Sequence, residues 1–197
     1  QGEREYLLRS LRGDSEGGEI VSDRYPTFPP ETLSVTEVIK LAGCLPEFTV
    51  ADIQWHMDKG SAAHHATALH DLGTLDESTV DPAIVGYLTA WKKFREDAKY
   101  TPVFIERPLL HSLYGYCGTL DRDGLDIKTG SPAPWHILQA SSYRELMRDN
   151  GLSENISDGF TNVYLSEDGT YKVKIYSAKE LRQGRTDFLT LLAAIRI

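Results

Sequence analysis

Gly118-Thr119-Leu120-Asp121-Arg122-Asp123-Gly124-Leu125-Asp126-Ile127-Lys128-Thr129-Gly130 decides how this chain is read. Asp123-Gly124 is a strong signal for a type I′ turn, whose two central residues both need φ > 0. A two-residue loop there pairs Arg122 with Leu125, and then Asp121 with Asp126. Side chains alternate along a strand, so Asp126 and Lys128 share a face, and directly opposed residues share it too, which adds Asp121. Two opposed carboxylates repel, and a divalent cation between them removes the cost. The nearby ammonium suits chemistry on an anionic substrate. Taken alone, the thirteen residues also fit a solvated hairpin with ordinary surface charges.

Working outward, the folded domain begins near Leu33 and is expected to run over 32–197. Ser34-Val35-Thr36-Glu37 is a capping box for a helix to about Ala42. Thr49 can cap a second helix, which continues past Gly60 to Leu72. Gly60 and His64 lie one turn apart there, so the small residue leaves space beside the imidazole. Asp81-Pro82 reads as an N-cap and first helical position for a helix to about Asp97. Its Tyr87, Trp91 and Phe94 lie at core spacing. Strands are expected over Val103 to Leu109, Tyr114 to Asp121 and Leu125 to Thr129. Pro134 then opens a helix to about Arg148. Asn162 to Leu165 and Tyr171 to Ser177 flank a turn and read as a second hairpin. Ala178 to Ile197 closes the chain as an amphipathic helix, with Leu181, Phe188, Leu189, Leu192 and Ile195 as its buried face. Residues 1–31 read as an extension or arm, because Pro26, Pro29 and Pro30 prevent a continuous helix. Glu3 to Leu11 could form a short helix within it.

Five short motifs occur in order along this framework. They are Gly60-Ser61-Ala62-Ala63-His64, Ile105-Glu106, Gly118 to Asp121, Asp126 to Gly130, and Gln139-Ala140-Ser141-Ser142-Tyr143. Together they resemble the PD-(D/E)xK nucleases, specifically the RecB-like exonucleases of phages and of recombination and CRISPR systems. The resemblance covers about residues 34 to 150. It matches the family's GxxxH helix, the glutamate of its first core strand, its "GtlD" and "DxKTG" strands and its QxxxY helix. The link between Asp121 and Asp126 is shorter than relatives usually carry.

The resemblance implies an α/β, restriction-endonuclease-like core, a central mixed β-sheet flanked by helices. It implies Asp121 and Asp126 as metal ligands, joined by the Ile127 carbonyl and by His64. His64 by itself also reads as an ordinary helix histidine. Hard oxygen ligands suit Mg²⁺ or Mn²⁺, and an imidazole makes Mn²⁺ more plausible. Lys128 would hold the attacking water or neutralise a phosphate oxygen. Glu106 would orient water or a neighbouring group; a surface glutamate is the other reading. Gln139 and Tyr143, one turn apart, would contact DNA and order the site. Trp135 and His136 at that helix start could stack on a base or simply pack. Arg144 and Arg148 form a second i,i+4 row on the same helix and could carry phosphate contacts.

Composition bounds these expectations. A chain of 197 residues with 41% hydrophobic and 25% charged residues suits one domain with a real core. No apolar run approaches the roughly 20 residues of a membrane span, and no secretory pattern is visible, so the expected location is the cytoplasm. The two cysteines, Cys44 and Cys117, cannot supply the four ligands an iron–sulfur cluster usually needs, so none is expected within one chain. A net charge of −8 argues against a simple electrostatic DNA binder. DNA contact must then come from local basic patches: Lys92, Lys93 and Arg95; Arg144 and Arg148; or Arg182 and Arg185. Each such patch is otherwise a solvated helix face. No GxxxxGK[ST] loop is present, against a nucleotide enzyme of that kind.

The expected activity is metal-dependent hydrolysis of DNA phosphodiester bonds, by an exonuclease resecting ends in phage or mobile-element recombination or replication. A structure-specific endonuclease and a catalytically silent DNA-binding or assembly module are the alternatives. DNA is the expected partner, with a single-strand annealing or recombination protein and an oligomer as further candidates.

Overall fold

The computed structural model describes residues 28, 29, 31–45, 50–152 and 159–197, and of residues 50–57 the backbone alone. The expected arm thus lies almost wholly outside the described residues, as do the Glu3 to Leu11 helix and the Thr49 cap.

Helix α1 (Val35–Leu41) starts at the predicted capping box: the Ser34 side chain accepts from the Glu37 N–H, and Glu37 accepts from the Ser34 N–H. Helix α2 (Val50–Leu72) and a 3₁₀ turn (Glu77–Thr79) lead to α3 (Val85–Ala98). α3 starts later than expected. Asp81 accepts from the Ala83 N–H and spends its carboxylate on a turn, so Ile84 becomes the N-cap. Strands β1 (Ile105–Leu110), β2 (Cys117–Arg122) and β3 (Leu125–Lys128) follow, then α4 (His136–Asp149), β4 (Phe160–Leu165), β5 (Tyr171–Tyr176) and α5 (Ala178–Ile195). α4 also starts after its proline, with Trp135 as N-cap.

The five strands form one mixed sheet in the order β1-β2-β3-β4-β5. All neighbours are antiparallel except β3 and β4, which run parallel with Asp126 beside Asn162 and Lys128 beside Tyr164. A parallel pair needs a crossover, and α4 supplies it.

Each face of the sheet buries a separate core. On one, α1, α4 and α5 bring Val38, Ile39, Leu146, Met147, Phe188 and Leu192 against strand residues Leu120 and Phe160. On the other, α2 and α3 bring Ala63, Ala66, Tyr87, Trp91 and Phe94 against Leu125, Ile127 and Val163. The aromatic row of α3 is therefore core, as its spacing predicts. Leu125 and Ile127 face α2 and α3, which by alternation turns Asp126 and Lys128 toward α4. The site lies between these layers, on β1 to β3. Among the described residues, no helix is long and apolar enough to cross a membrane.

Candidate metal centre

The hairpin that carries the motif is not built as expected. At its tip only Gly124 is left-handed, at φ 70°, so the turn is not type I′. The Asp123 carboxylate accepts from the Tyr100 hydroxyl (3.0 Å) and the Val103 N–H (2.7 Å), which ties the tip to the segment ahead of β1. Arg122 pairs with Leu125 as predicted, but the Asp121–Asp126 pair does not form. The strands part there because Asp121 Oδ2 accepts the Ile127 N–H at 2.7 Å, where a ladder would use a carbonyl. That bond holds the carboxylate in the cleft between β2 and β3.

The β1–β2 ladder is interrupted at the same level. Ile105 pairs with Arg122 and Arg107 with Leu120, while Glu106 between them has φ 49°. A left-handed glutamate inside a strand is strained, and such residues persist where their surroundings over-determine them. It turns the Glu106 carboxylate toward Asp121. His64 reaches the same point from α2, with Nδ1 3.3 Å from Asp121 Oδ1. Ligand atoms of His64, Glu106 and Asp121 all lie within 4.8 Å of one another. Gly60, one turn earlier, makes room for Thr129 rather than for the imidazole: a Cβ there would sit 3.2 Å from Thr129 Oγ1.

Asp126 stands next to this group, 3% exposed, with Oδ2 2.6 Å from Lys128 Nζ. Lys128 also donates to Gln139 Oε1 at 2.5 Å and lies over the Trp135 ring, 5.5 Å from its centroid. Gln139 in turn donates to the Tyr143 hydroxyl at 3.1 Å. Tyr143 can lie this close to β2 only because residue 118 is glycine, since a Cβ there would meet its ring at 2.7 Å. So the structure brings together His64, Glu106, Asp121, Asp126, Ile127 and Lys128, with Gln139 and Tyr143 behind the lysine. Farther along α4, Arg144 is buried. Arg148 is exposed and donates to Glu145. The two arginines therefore do not share an open face. His136 packs edge-on against Trp135, with Nδ1 2.8 Å from the Tyr164 hydroxyl.

Crowding shapes the acidity of these groups. Burial works to lower the pKa of His64, but Asp121, with Glu106 and Asp126 behind it, raises it to about 9. Burial works to raise Asp121; the His64 cation, the Ile127 N–H and Lys128 override it and hold Asp121 below the ordinary carboxylate range. Burial, then the Asp121 charge, push Glu106 up to about 7. Burial pushes Asp126 up to about 6 against the pull of Lys128. Buried carboxylates that resist ionising together, with an imidazole among them, are a donor set that a divalent cation fits: it would favour the charged form of each carboxylate and the neutral form of the imidazole.

Two residues beside the site have no role in the sequence reading of it. Arg122 and Asp71, with side chains fully buried, form an ion pair at 2.7 Å directly beneath Glu106. They lie 51 positions apart, on a strand and a helix, and no local pattern links them.

No family model matches the chain, and no curated protein matches it. A solved structure named "Putative exonuclease", from Eubacterium rectale, superposes with a TM-score of 0.56 at 12% identity, covering 91% of this chain and 86% of the other. At that identity the likeness shows the fold, a five-stranded mixed sheet flanked by helices, held in common with a protein whose name is that of a nuclease.

Proposed function

We propose that this chain is a Mg²⁺- or Mn²⁺-dependent deoxyribonuclease, an exonuclease that resects DNA ends. The observation that carries this is the His64–Glu106–Asp121 group set directly beside the Asp126–Lys128 pair. The exonuclease name of the structural neighbour supports the same reading.

His64, Glu106 and Asp121 would hold a divalent cation, with Asp126 and the Ile127 carbonyl within the same cleft. Bound there, the cation would supply Lewis-acid neutralisation of the phosphate and acidify a water. The chain's own part is positioning. Asp126 and Gln139 fix the Lys128 ammonium from two sides, so its charge is in place before substrate arrives. Lys128 then holds the attacking water or a phosphate oxygen. Tyr143 and Gln139 order the lysine and border the path of the DNA backbone. The setting is a bacterial cytoplasm where phage-type recombination takes place, with a strand-annealing protein as the natural acceptor of resected ends.

The test is digestion of end-labelled linear duplex and closed circular DNA with Mg²⁺, Mn²⁺ or EDTA. Loss of linear DNA from its ends, with circles intact and EDTA inhibitory, is the expected result. Cutting of circles would make the enzyme an endonuclease. Duplex binding without cleavage in either metal would reduce it to a binding module.

A further inference from the structure

Arg122 has no exposed side-chain surface, and each edge of its guanidinium is committed. Nε lies 2.7 Å from Asp71 Oδ2, and Nη2 donates to Thr67 Oγ1 at 3.4 Å. Nη1 donates to the Asp121 carbonyl at 2.6 Å and to Glu106 Oε1 at 3.3 Å. Its plane lies over the Trp91 ring, 5.3 Å from the centroid. Asp71 also accepts from Trp91 Nε1 at 3.0 Å and pairs with Arg95 at 2.6 Å, so the anchor is itself anchored. One nitrogen thus joins the main chain of one candidate ligand to the carboxylate of another. That second residue, Glu106, is the one left-handed in mid-strand.

We propose that Arg122 is a positioning residue which, through Glu106, completes the metal group by holding that glutamate in its left-handed conformation. The inference rests on the metal-dependent reading above. A planar fork of donors can serve Asp71, Asp121 and Glu106 at once, whereas the point charge of a lysine cannot. Relieved of Arg122, Glu106 returns to ordinary strand geometry, and its carboxylate leaves His64 and Asp121.

The experiment is a double-mutant cycle read by Mn²⁺ affinity, with free Mn²⁺ followed by electron paramagnetic resonance. Arg122→Lys is made in the wild-type chain and in Glu106→Gln, and a cooperative thermal melt shows that each variant is folded. Arg122→Lys alone should weaken Mn²⁺ binding about tenfold or more, the usual scale for a group that orients a ligand. In the Glu106→Gln background the same change should cost less than about twofold, because its effect runs through a carboxylate already removed. Equal losses in the two backgrounds, or no loss in the first, would overturn the role of Arg122 and leave the proposed function standing. Asp71→Asn, which keeps the buried volume and removes the other anchor, goes through the same cycle and decides the matter where Arg122→Lys does not fold. A wild-type chain that binds no Mn²⁺ would remove the metal reading and this inference with it.

Discussion

In the proposed nuclease Lys128 is the residue on which the chemistry would turn, and its surroundings fix where its charge lies. Its ammonium sits between Asp126 of its own strand and Gln139 of α4, and over the ring of Trp135 at the start of that helix. Lys128→Ala should leave metal and DNA binding intact and slow the chemical step by about 100-fold or more, since a fixed charge of this kind acts mainly on the transition state. Single-turnover cleavage beside a DNA-binding titration measures both; lost affinity with an unchanged rate would contradict the assignment. His64 and Glu106 make a second prediction. With pKa values of about 9 and about 7, they carry protons near neutrality that a bound cation must displace. Mn²⁺ binding at pH 7 should therefore release about one proton or more and tighten as pH rises toward 9. Calorimetric titration in two buffers of different ionisation enthalpy reads this directly. The candidate residues were legible through five short motifs in order along the chain, not through any one of them alone. The left-handed backbone of Glu106 was not, since nothing about a glutamate side chain announces a positive φ.

Among the elements, β2 and α4 make the closest approach that matters to the site. Gly118→Ala would put a methyl group 2.7 Å from Tyr143 and 3.2 Å from Leu146. Overpacking of this kind costs about 1–3 kcal/mol. Melting temperature should fall, and the Tyr143–Gln139–Lys128 chain should loosen, lowering the cleavage rate even where the protein is folded. A variant as stable and as active as wild type would show that α4 can move away freely. Element order and type were readable from capping, turn and periodicity signals, and the expected capping box at Ser34 forms in full. Two details were hidden for one reason. The Asp123 turn and the Asp121–Asp126 register depend on carboxylates taken up elsewhere. Asp123 binds the segment before β1, and Asp121 takes the Ile127 N–H. Local turn preference gives way to such bonds.

For the whole molecule, the buried charges predict how stability follows pH. His64, Glu106 and Asp126 have pKa values raised above the ordinary 6.5, 4.5 and 3.8. A group raised on folding stabilises fully below its unfolded value and loses that contribution as pH climbs through its folded value. All three therefore act in one direction, across windows ending near pH 6 for Asp126, 7 for Glu106 and 9 for His64. Asp121, depressed on folding, acts oppositely, and only in stronger acid. The EDTA-treated protein should lose melting temperature steadily from pH 5 to pH 9, and Mn²⁺ should restore most of it at the alkaline end. A flat profile without metal would mean that the cluster is more open to solvent than the structure shows. Helix α2 adds something else at this scale. His64, Thr67 and Asp71 recur at intervals of three and four along its length, so one helical face serves both Asp121 and Arg122. A turn of the helix about its axis withdraws all three together. In the proposed nuclease, a nascent or partly unfolded copy with α2 detached would keep three carboxylates and a lysine but lack the imidazole and the Asp71 anchor, so cutting power would wait on docking.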